Sequence, residues 1–346
     1  MITNANRFRT LKKQTTFIII GIFFILMSAS VLLLDILLYA KSPAGEEIEP
    51  KTIIIHPGEP FSGLVQRLYK EGIISSRFKF TLYARMNGYA KRIKAGEYSF
   101  FPTMSPEQLI DVMISGKVVM HRITIPEGFN AKQVAEVLSK AGLASVFEFM
   151  EAIMDSEFAS ENGIDASSLE GYLFPDTYHF SKMTPTRKII TTMTNRLQSV
   201  LKPAWSKEAD RLGFSIHQII TLASIIEKET SIDSERPIIA SVFHNRLKKR
   251  MKLESDPTVI YGIWGFDGNI KKRHLSEPTP YNTYQIHGLP PGPIANPGAR
   301  SIEAALFPAK TGFLYFVSKN DGTHEFSEDF GTHKLAVKKY QMRKKS

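Results

Sequence analysis

Glu227 is the residue whose neighbours are least suited to an ordinary surface carboxylate. It lies in Ile219-Ile220-Thr221-Leu222-Ala223-Ser224-Ile225-Ile226-Glu227-Lys228-Glu229, seven residues after Ile220, four after Ala223 and three after Ser224. At helical spacing this puts it on or beside an apolar stripe, with Glu229 rotated two positions away. A carboxyl against an apolar surface loses hydration when ionised, so its pKa is expected to rise. A glutamic acid held protonated near neutral pH can serve as a general acid. The plainer alternative is a glutamate at a helix end, paired with Lys228 or Arg236 and without chemical use.

Other polar groups offer weaker signals. Glu170 opens Glu170-Gly171-Tyr172-Leu173-Phe174-Pro175-Asp176-Thr177-Tyr178, whose dense aromatics could form a sugar-stacking wall or simply core. Asp176, after a proline, suits a turn, and Asp256-Pro257-Thr258 suits a turn or a helix start. Tyr281-Asn282-Thr283-Tyr284 carries hydroxyl and amide groups suited to sugar hydroxyls, and is equally at home in a loop. The nine histidines are scattered without metal-ligand spacing. No phosphate loop, dinucleotide fingerprint or Gly-x-Ser-x-Gly element is present, so neither a cofactor nor a serine hydrolase is expected. Without cysteine there is no disulfide, thiolate metal site or cysteine nucleophile.

These residues must be positioned by a chain of 346 residues, enough for two or three small domains. The net charge of +10 invites nucleic acid, anionic lipid or an acidic wall polymer. Much of it sits at the ends (Arg7, Arg9, Lys12, Lys13; Lys338, Lys339, Arg343, Lys344, Lys345), and no basic stripe interleaved with aromatics argues for nucleic acid. Phe17 to Leu34 runs without a charged residue, continued past Asp35 by Ile36-Leu37-Leu38-Tyr39-Ala40. Such a run can cross a bilayer and is longer than the usual core of a cleaved signal peptide. Basic residues before it and Glu46, Glu47 and Glu49 after it place the N-terminus in the cytoplasm and the rest outside. Asp35, near the outer end, can reach the interface.

The expected organisation is a cytoplasmic segment 1–16, a transmembrane helix 17–40, a linker 41–51, a membrane-proximal region 52–145 and a catalytic region 146–346. The fold class is α+β. Thr52-Ile53-Ile54-Ile55, the turn Pro57-Gly58-Glu59 and helical spacing at Phe61, Leu64, Val65 and Leu68 form a strand–turn–helix unit. Ile123-Thr124-Ile125, Pro126-Glu127-Gly128 and Val134, Val137, Leu138 and Ala141 repeat it. A helix over 78–86 and a strand ending at Phe100 lie between the copies. This layout loosely resembles LysM modules, which bind N-acetylglucosamine polymers; a plain spacer would look the same. Helices are expected over 189–201 and 217–229, a stiff proline loop over 288–298, a buried strand over 313–317 and a helix in the basic tail.

The catalytic half resembles the endolytic murein transglycosylases (MltG, or YceG-like proteins). The resemblance rests on the 170–178 block; Ala223 to Thr230; Ser241-Val242-Phe243 with Asn245-Arg246-Leu247; Asp256 to Gly262; Tyr281 to Tyr284; Gly288 to Ile294; and His324-x-Phe326 with His333 beyond. In order and spacing these cover about residues 170–340; residues 50–145 match in layout only. The resemblance implies that Glu227 is the acid/base catalyst. It also implies that Glu170, Asp176, Asp256, Tyr281, Asn282 and the proline loop line a glycan cleft.

A hydrolytic glycosidase usually needs two carboxylates, whereas a lytic transglycosylase can work with one. The expected reaction cuts the bond from N-acetylmuramic acid to N-acetylglucosamine, leaving 1,6-anhydromuramyl ends. The anchor makes nascent peptidoglycan strands at the cell (inner) membrane the expected substrate, and the resemblance implies a role in terminating their elongation in association with peptidoglycan synthases. The alternatives are a muramidase using Asp256 or Asp176 as second carboxylate, and a non-catalytic wall-binding scaffold.

Overall fold

The computed structural model describes residues 2–341 apart from Trp264 and Asp267, with residues 2–14 described by backbone alone. The basic residues Arg343, Lys344 and Lys345 lie outside the described residues. By its internal contacts the chain divides into residues 1–120 with 181–183, and residues 121–180 with 184–346.

The first unit begins with α1 (Ile2–Lys41), of which Thr15–Lys41 is long and apolar enough to cross a membrane, with mean hydropathy 2.9. Then follow β1 (Lys51–Ile55), α2 (Phe61–Lys70), α3 (Arg77–Met86), β2 (Gly96–Phe100) and α4 (Pro106–Ser115). β1 and β2 pair antiparallel, Ile53 opposite Tyr98 and Ile55 opposite Gly96. A two-stranded ribbon is marginal alone. Here Leu68, Phe80, Leu109 and Ile110, all without exposed surface, seal its inner face. Ser105 and Gln108 form a reciprocal cap at the start of α4. The outer end of α1 joins this core through Ile36, Tyr39 and Ala40. Asp35, near the outer end of the span, pairs with Lys79 at 2.8 Å while its side chain stays about half exposed, because α3 packs against that end of the helix.

The second unit opens with β3 (His121–Thr124), α5 (Ala131–Lys140), α6 (Val146–Ile153), α7 (Ser156–Glu161) and β4 (Thr177–Phe180). β3 pairs antiparallel with β4, Ile123 opposite Tyr178. The strand–turn–helix unit therefore does occur twice. Each copy turns on a glycine in the left-handed region, Gly58 (φ 74°) and Gly128 (φ 76°), where a side chain would be strained.

Four long helices follow: α8 (Thr186–Val200), α9 (Pro203–Leu212), α10 (Ile216–Glu229) and α11 (Arg236–Lys248). The chain ends in α12 (Asp256–Gly262), α13 (Lys272–Ser276), α14 (Ala299–Leu306), β5 (Tyr315–Ser318), β6 (His324–Ser327) and α15 (Phe330–Tyr340). The expected buried strand over 313–317 is found at 315–318 and is only half-buried, since it pairs with β6 alone at the surface.

α10 is the central element. It packs on α9, α11, α12 and α14, and every residue from Ile219 to Ile226 is buried. The expected apolar stripe is in fact a helix buried all round. Ser215 and Gln218 cap its start reciprocally. Glu227 is the first residue to emerge at the other end.

Candidate active site

Glu227 sits where three segments meet: the last turn of α10, the turn 126–129 before α5, and the loop that leads into α14. The loop runs along α10 and is bonded to it at three levels. His217 Nε2 lies 3.0 Å from Pro291 O, the Ile294 N–H donates to Ser224 Oγ at 3.0 Å, and the Gly298 N–H donates to Glu227 Oε2 at 2.9 Å. The prolines stiffen this loop, as expected, and Gly292 to Gly298 are buried.

Asn296, with no exposed surface, ties the loop to two other blocks. Its backbone N–H and Nδ2 both donate to Phe129 O, at 2.8 and 2.7 Å. Its Oδ1 accepts from the Leu173 N–H at 2.8 Å, and its carbonyl accepts from the Gly128 N–H at 2.9 Å. Gly171 completes the junction. A Cβ there would stand 2.3 Å from Pro293 Cβ, so only glycine lets the 170–178 block close on the proline loop.

The Glu227 side chain is only 6% exposed, and its environment is polar. Arg236 Nη2, at the start of α11, donates to Glu227 Oε1 at 3.2 Å. The same guanidinium contacts Asp233, which also pairs with Arg300, and donates from Nε to Ser301 Oγ at 3.1 Å. The sequence expectation of a carboxyl against apolar neighbours is thus corrected. The last turn of α10 leaves the core here, and an arginine nine residues on covers it.

A second carboxylate belongs to the same cluster. Glu127 Oε2 lies 3.9 Å from Arg236 Nη2, and Glu127 is half exposed where Glu227 is enclosed. The Glu127 carboxyl lies directly against the Gly298 backbone: a Cβ on Gly298 would come within 2.0 Å of Glu127 Oε1. Burial pushes the Glu127 pKa up, and the charge of Glu227 adds to this, against Arg236 and Arg300. Sequence reasoning took Pro126-Glu127-Gly128 only as a turn; its repeat at Pro57-Gly58-Glu59 hid an acid that shares Arg236 with Glu227.

The remaining expected residues fall into separate clusters. Glu170 is buried, with Ala131 N–H donating to both its oxygens at 3.0 and 3.1 Å and Tyr261 OH to Oε2 at 3.3 Å. Burial pushes its pKa up to about 7. Tyr281 packs on Tyr261 with ring centres 4.8 Å apart, so Glu170 and Tyr281 share a neighbour. Glu229, read as rotated away from the core, also finds an enclosed place: Ser255 Oγ donates to it at 2.5 Å and burial raises its pKa to about 7. Asp256 accepts from Tyr284 OH at 2.7 Å.

Two expected cleft residues are committed elsewhere. Asp176 receives Arg196 Nε at 2.6 Å, which lowers its pKa, and its other oxygen takes the Thr177 N–H. Asn282 is 1% exposed, and its Nδ2 donates to the carbonyls of His274, Leu275 and Glu277. A cavity of about 840 Å³ lies near the other end of α10, between His217, Thr221, His244, Lys248 and Leu289. Glu227 does not line it.

An enclosed glutamate held by an arginine and a backbone N–H, with a second glutamate exposed beside it, is a site equipped for proton transfer. The model of the YceG-like family matches residues 53–339, and the chain belongs to that family. A protein of Bacillus subtilis strain 168 named endolytic murein transglycosylase is 34% identical over 323 residues, 88% of this chain and 89% of that one. One of the same name from Streptococcus pneumoniae D39 is 28% identical, over 77% of this chain but 54% of its own length. The 2.6 Å crystal structure of a putative YceG-like protein from Listeria monocytogenes aligns with a TM-score of 0.58 and 32% identity. That alignment covers 83% of this chain and 98% of the other.

Proposed function

We propose that this chain is an endolytic murein transglycosylase and that Glu227 is its acid/base catalyst. The observation that carries the proposal is the placement of Glu227. It is enclosed, held by two donors, and sits where the end of α10, the turn 126–129 and the 288–298 loop meet. Family membership and the names of the relatives supply the reaction class.

In this mechanism the glutamic acid donates its proton to the oxygen between N-acetylmuramic acid and N-acetylglucosamine while positive charge develops at the muramyl C1. The glutamate then takes the proton of the muramyl C6 hydroxyl as that oxygen bonds to C1 of its own ring. One bond breaks, one forms, and the carboxyl ends protonated as it began. The nucleophile is part of the substrate, so its positioning costs little. Arg236 and the Gly298 N–H stabilise the carboxylate in the interval between the two transfers. With α1 as a single-pass anchor and the rest of the chain extracytoplasmic, nascent strands at the cell membrane are the substrate, and cutting them limits their length beside the synthases. The β1–α2–α3–β2 layout of the first unit supports a LysM-like, glycan-holding role for it.

Glu127 favours a second reading, a hydrolytic muramidase. Of the acids weighed for the second carboxylate, Asp176 is bound by Arg196 and Asp256 by Tyr284, whereas Glu127 shares Arg236 with Glu227. Digestion of peptidoglycan by the purified protein separates the two, since hydrolysis yields ends heavier by one water than anhydro ends. If Glu227→Gln releases fragments as fast as the parent, the catalytic assignment is wrong.

A further inference from the structure

We propose that the first turn of α3, with Phe78 at its centre and Arg77 and Tyr69 beside it, is a second membrane contact that seats in the lipid headgroup layer where α1 leaves the bilayer. This rests on the reading of α1 as a membrane span.

The length of α1 sets the level. Thr15–Lys41 is 27 residues, about 40 Å of helix, whereas the hydrocarbon core is about 30 Å thick and is crossed by about twenty residues. Counted from Thr15, the helix leaves hydrocarbon near Asp35, and the stretch from there to Lys41 lies among headgroups. This outer stretch is where the α/β module is docked. Asp35 is bonded to Lys79 at 2.8 Å, Tyr39 OH donates to Ser76 O at 3.1 Å, and Ile36, Tyr39 and Ala40 are buried against the module. Two bonds on either side of Phe78 therefore hold the start of α3 level with residues 35–39.

What α3 presents there is suited to lipid. Phe80 faces the core without exposed surface, while Phe78 points away from it and is 64% exposed. Arg77 lies over the ring of Tyr69, its guanidinium carbon 5.3 Å from the ring centre, and Tyr69 is itself exposed. A phenylalanine that buries itself at the acyl boundary, flanked by tyrosine and a cation that reach headgroups, is the composition of an interfacial anchor. Seated this way the module cannot swing freely about the end of α1.

The chain has no cysteine, so single labels are unambiguous. The full-length protein is reconstituted in vesicles of phosphatidylethanolamine and phosphatidylglycerol with a nitroxide at Phe78→Cys. Leu26→Cys, within the span, and Phe147→Cys, exposed in the second unit, serve as references. Collisions with oxygen and with a water-soluble nickel chelate are measured at each site. The expected oxygen-to-nickel ratio at 78 lies above that at 147 and below that at 26. A ratio at 78 equal to that at 147, with 26 in lipid, overturns the headgroup contact and leaves the anchor standing. Protection at 78 from both reagents means a protein partner and also overturns it. Free access of the nickel chelate at 26 overturns the anchor itself.

Discussion

Arg236 donates from Nη2 to Glu227 Oε1 across 3.2 Å, with both side chains only 6% exposed. A buried charge pair of this kind is tolerated because each partner has further bonds, Glu227 to Gly298 and Arg236 to Asp233 and Ser301. It fixes the carboxyl in one orientation. Glu227→Gln keeps the shape and removes the carboxyl that would give up and take back a proton. Release of soluble fragments is expected to fall about 10²- to 10⁴-fold, with thermal unfolding in the same range as the parent.

Glu127→Gln tests the second carboxylate. Under the transglycosylase reading Glu127 acts only through the charge it shares with Arg236, so the rate falls less than for Glu227→Gln and the product keeps its anhydro end. If the parent yields a mixture and this substitution removes only the hydrated ends, Glu127 is the base that activates water. Mass spectrometry of the digest reads both outcomes.

Gly298→Ala should imitate loss of Glu127. The glycine has φ −74° and ψ 166°, open to any residue, so the backbone N–H can remain on Glu227. The new methyl group, however, occupies the place of the Glu127 carboxyl. Activity should drop as in Glu127→Gln, and the double variant should be no worse than either alone. Additive losses in that double-mutant cycle would mean that the two positions act independently.

Asn296→Ala should be among the most damaging changes outside the carboxylates. It leaves the Leu173 N–H without its acceptor and removes the side-chain donor to Phe129 O in a fully buried place. A loss of about 2–4 kcal/mol is expected in denaturant titrations, with no change in product identity.

Stability should fall from mildly acidic to mildly alkaline pH. The folded-state pKa of Glu170 is raised from 4.5 to about 7. Its contribution is therefore complete below about pH 4.5 and is lost as pH rises through 7, and Glu229 acts in the same direction. For Glu170 the full effect is on the order of 3 kcal/mol. Glu170→Gln should flatten the decline in melting temperature between pH 5 and pH 8. An unchanged slope would show that Glu170 stays charged in the folded protein.

Much of the fold was legible in residue order. Helices expected at 189–201 and 217–229 occur at 186–200 and 216–229, and the strand–turn–helix unit at 52–70 recurs at 121–140. Helical spacing and glycine turns are local properties, and local properties survive in sequence. The singling out of Glu227 also came from its own helix, as the first acid after a mostly apolar stretch.

What surrounds that acid was decided only by tertiary structure. The spacing of α10 could not reveal that it is buried on every side, which is why Glu229 is enclosed as well. Nor could it reveal that Glu127, a hundred residues earlier, and Gly298, seventy-one residues later, would meet Glu227. Nothing along the chain marked Arg196 as the partner of Asp176, or three backbone carbonyls as those of Asn282. Burial, ion pairing and hydrogen-bond satisfaction depend on which distant segments arrive at one place, and no period along the chain encodes that arrival.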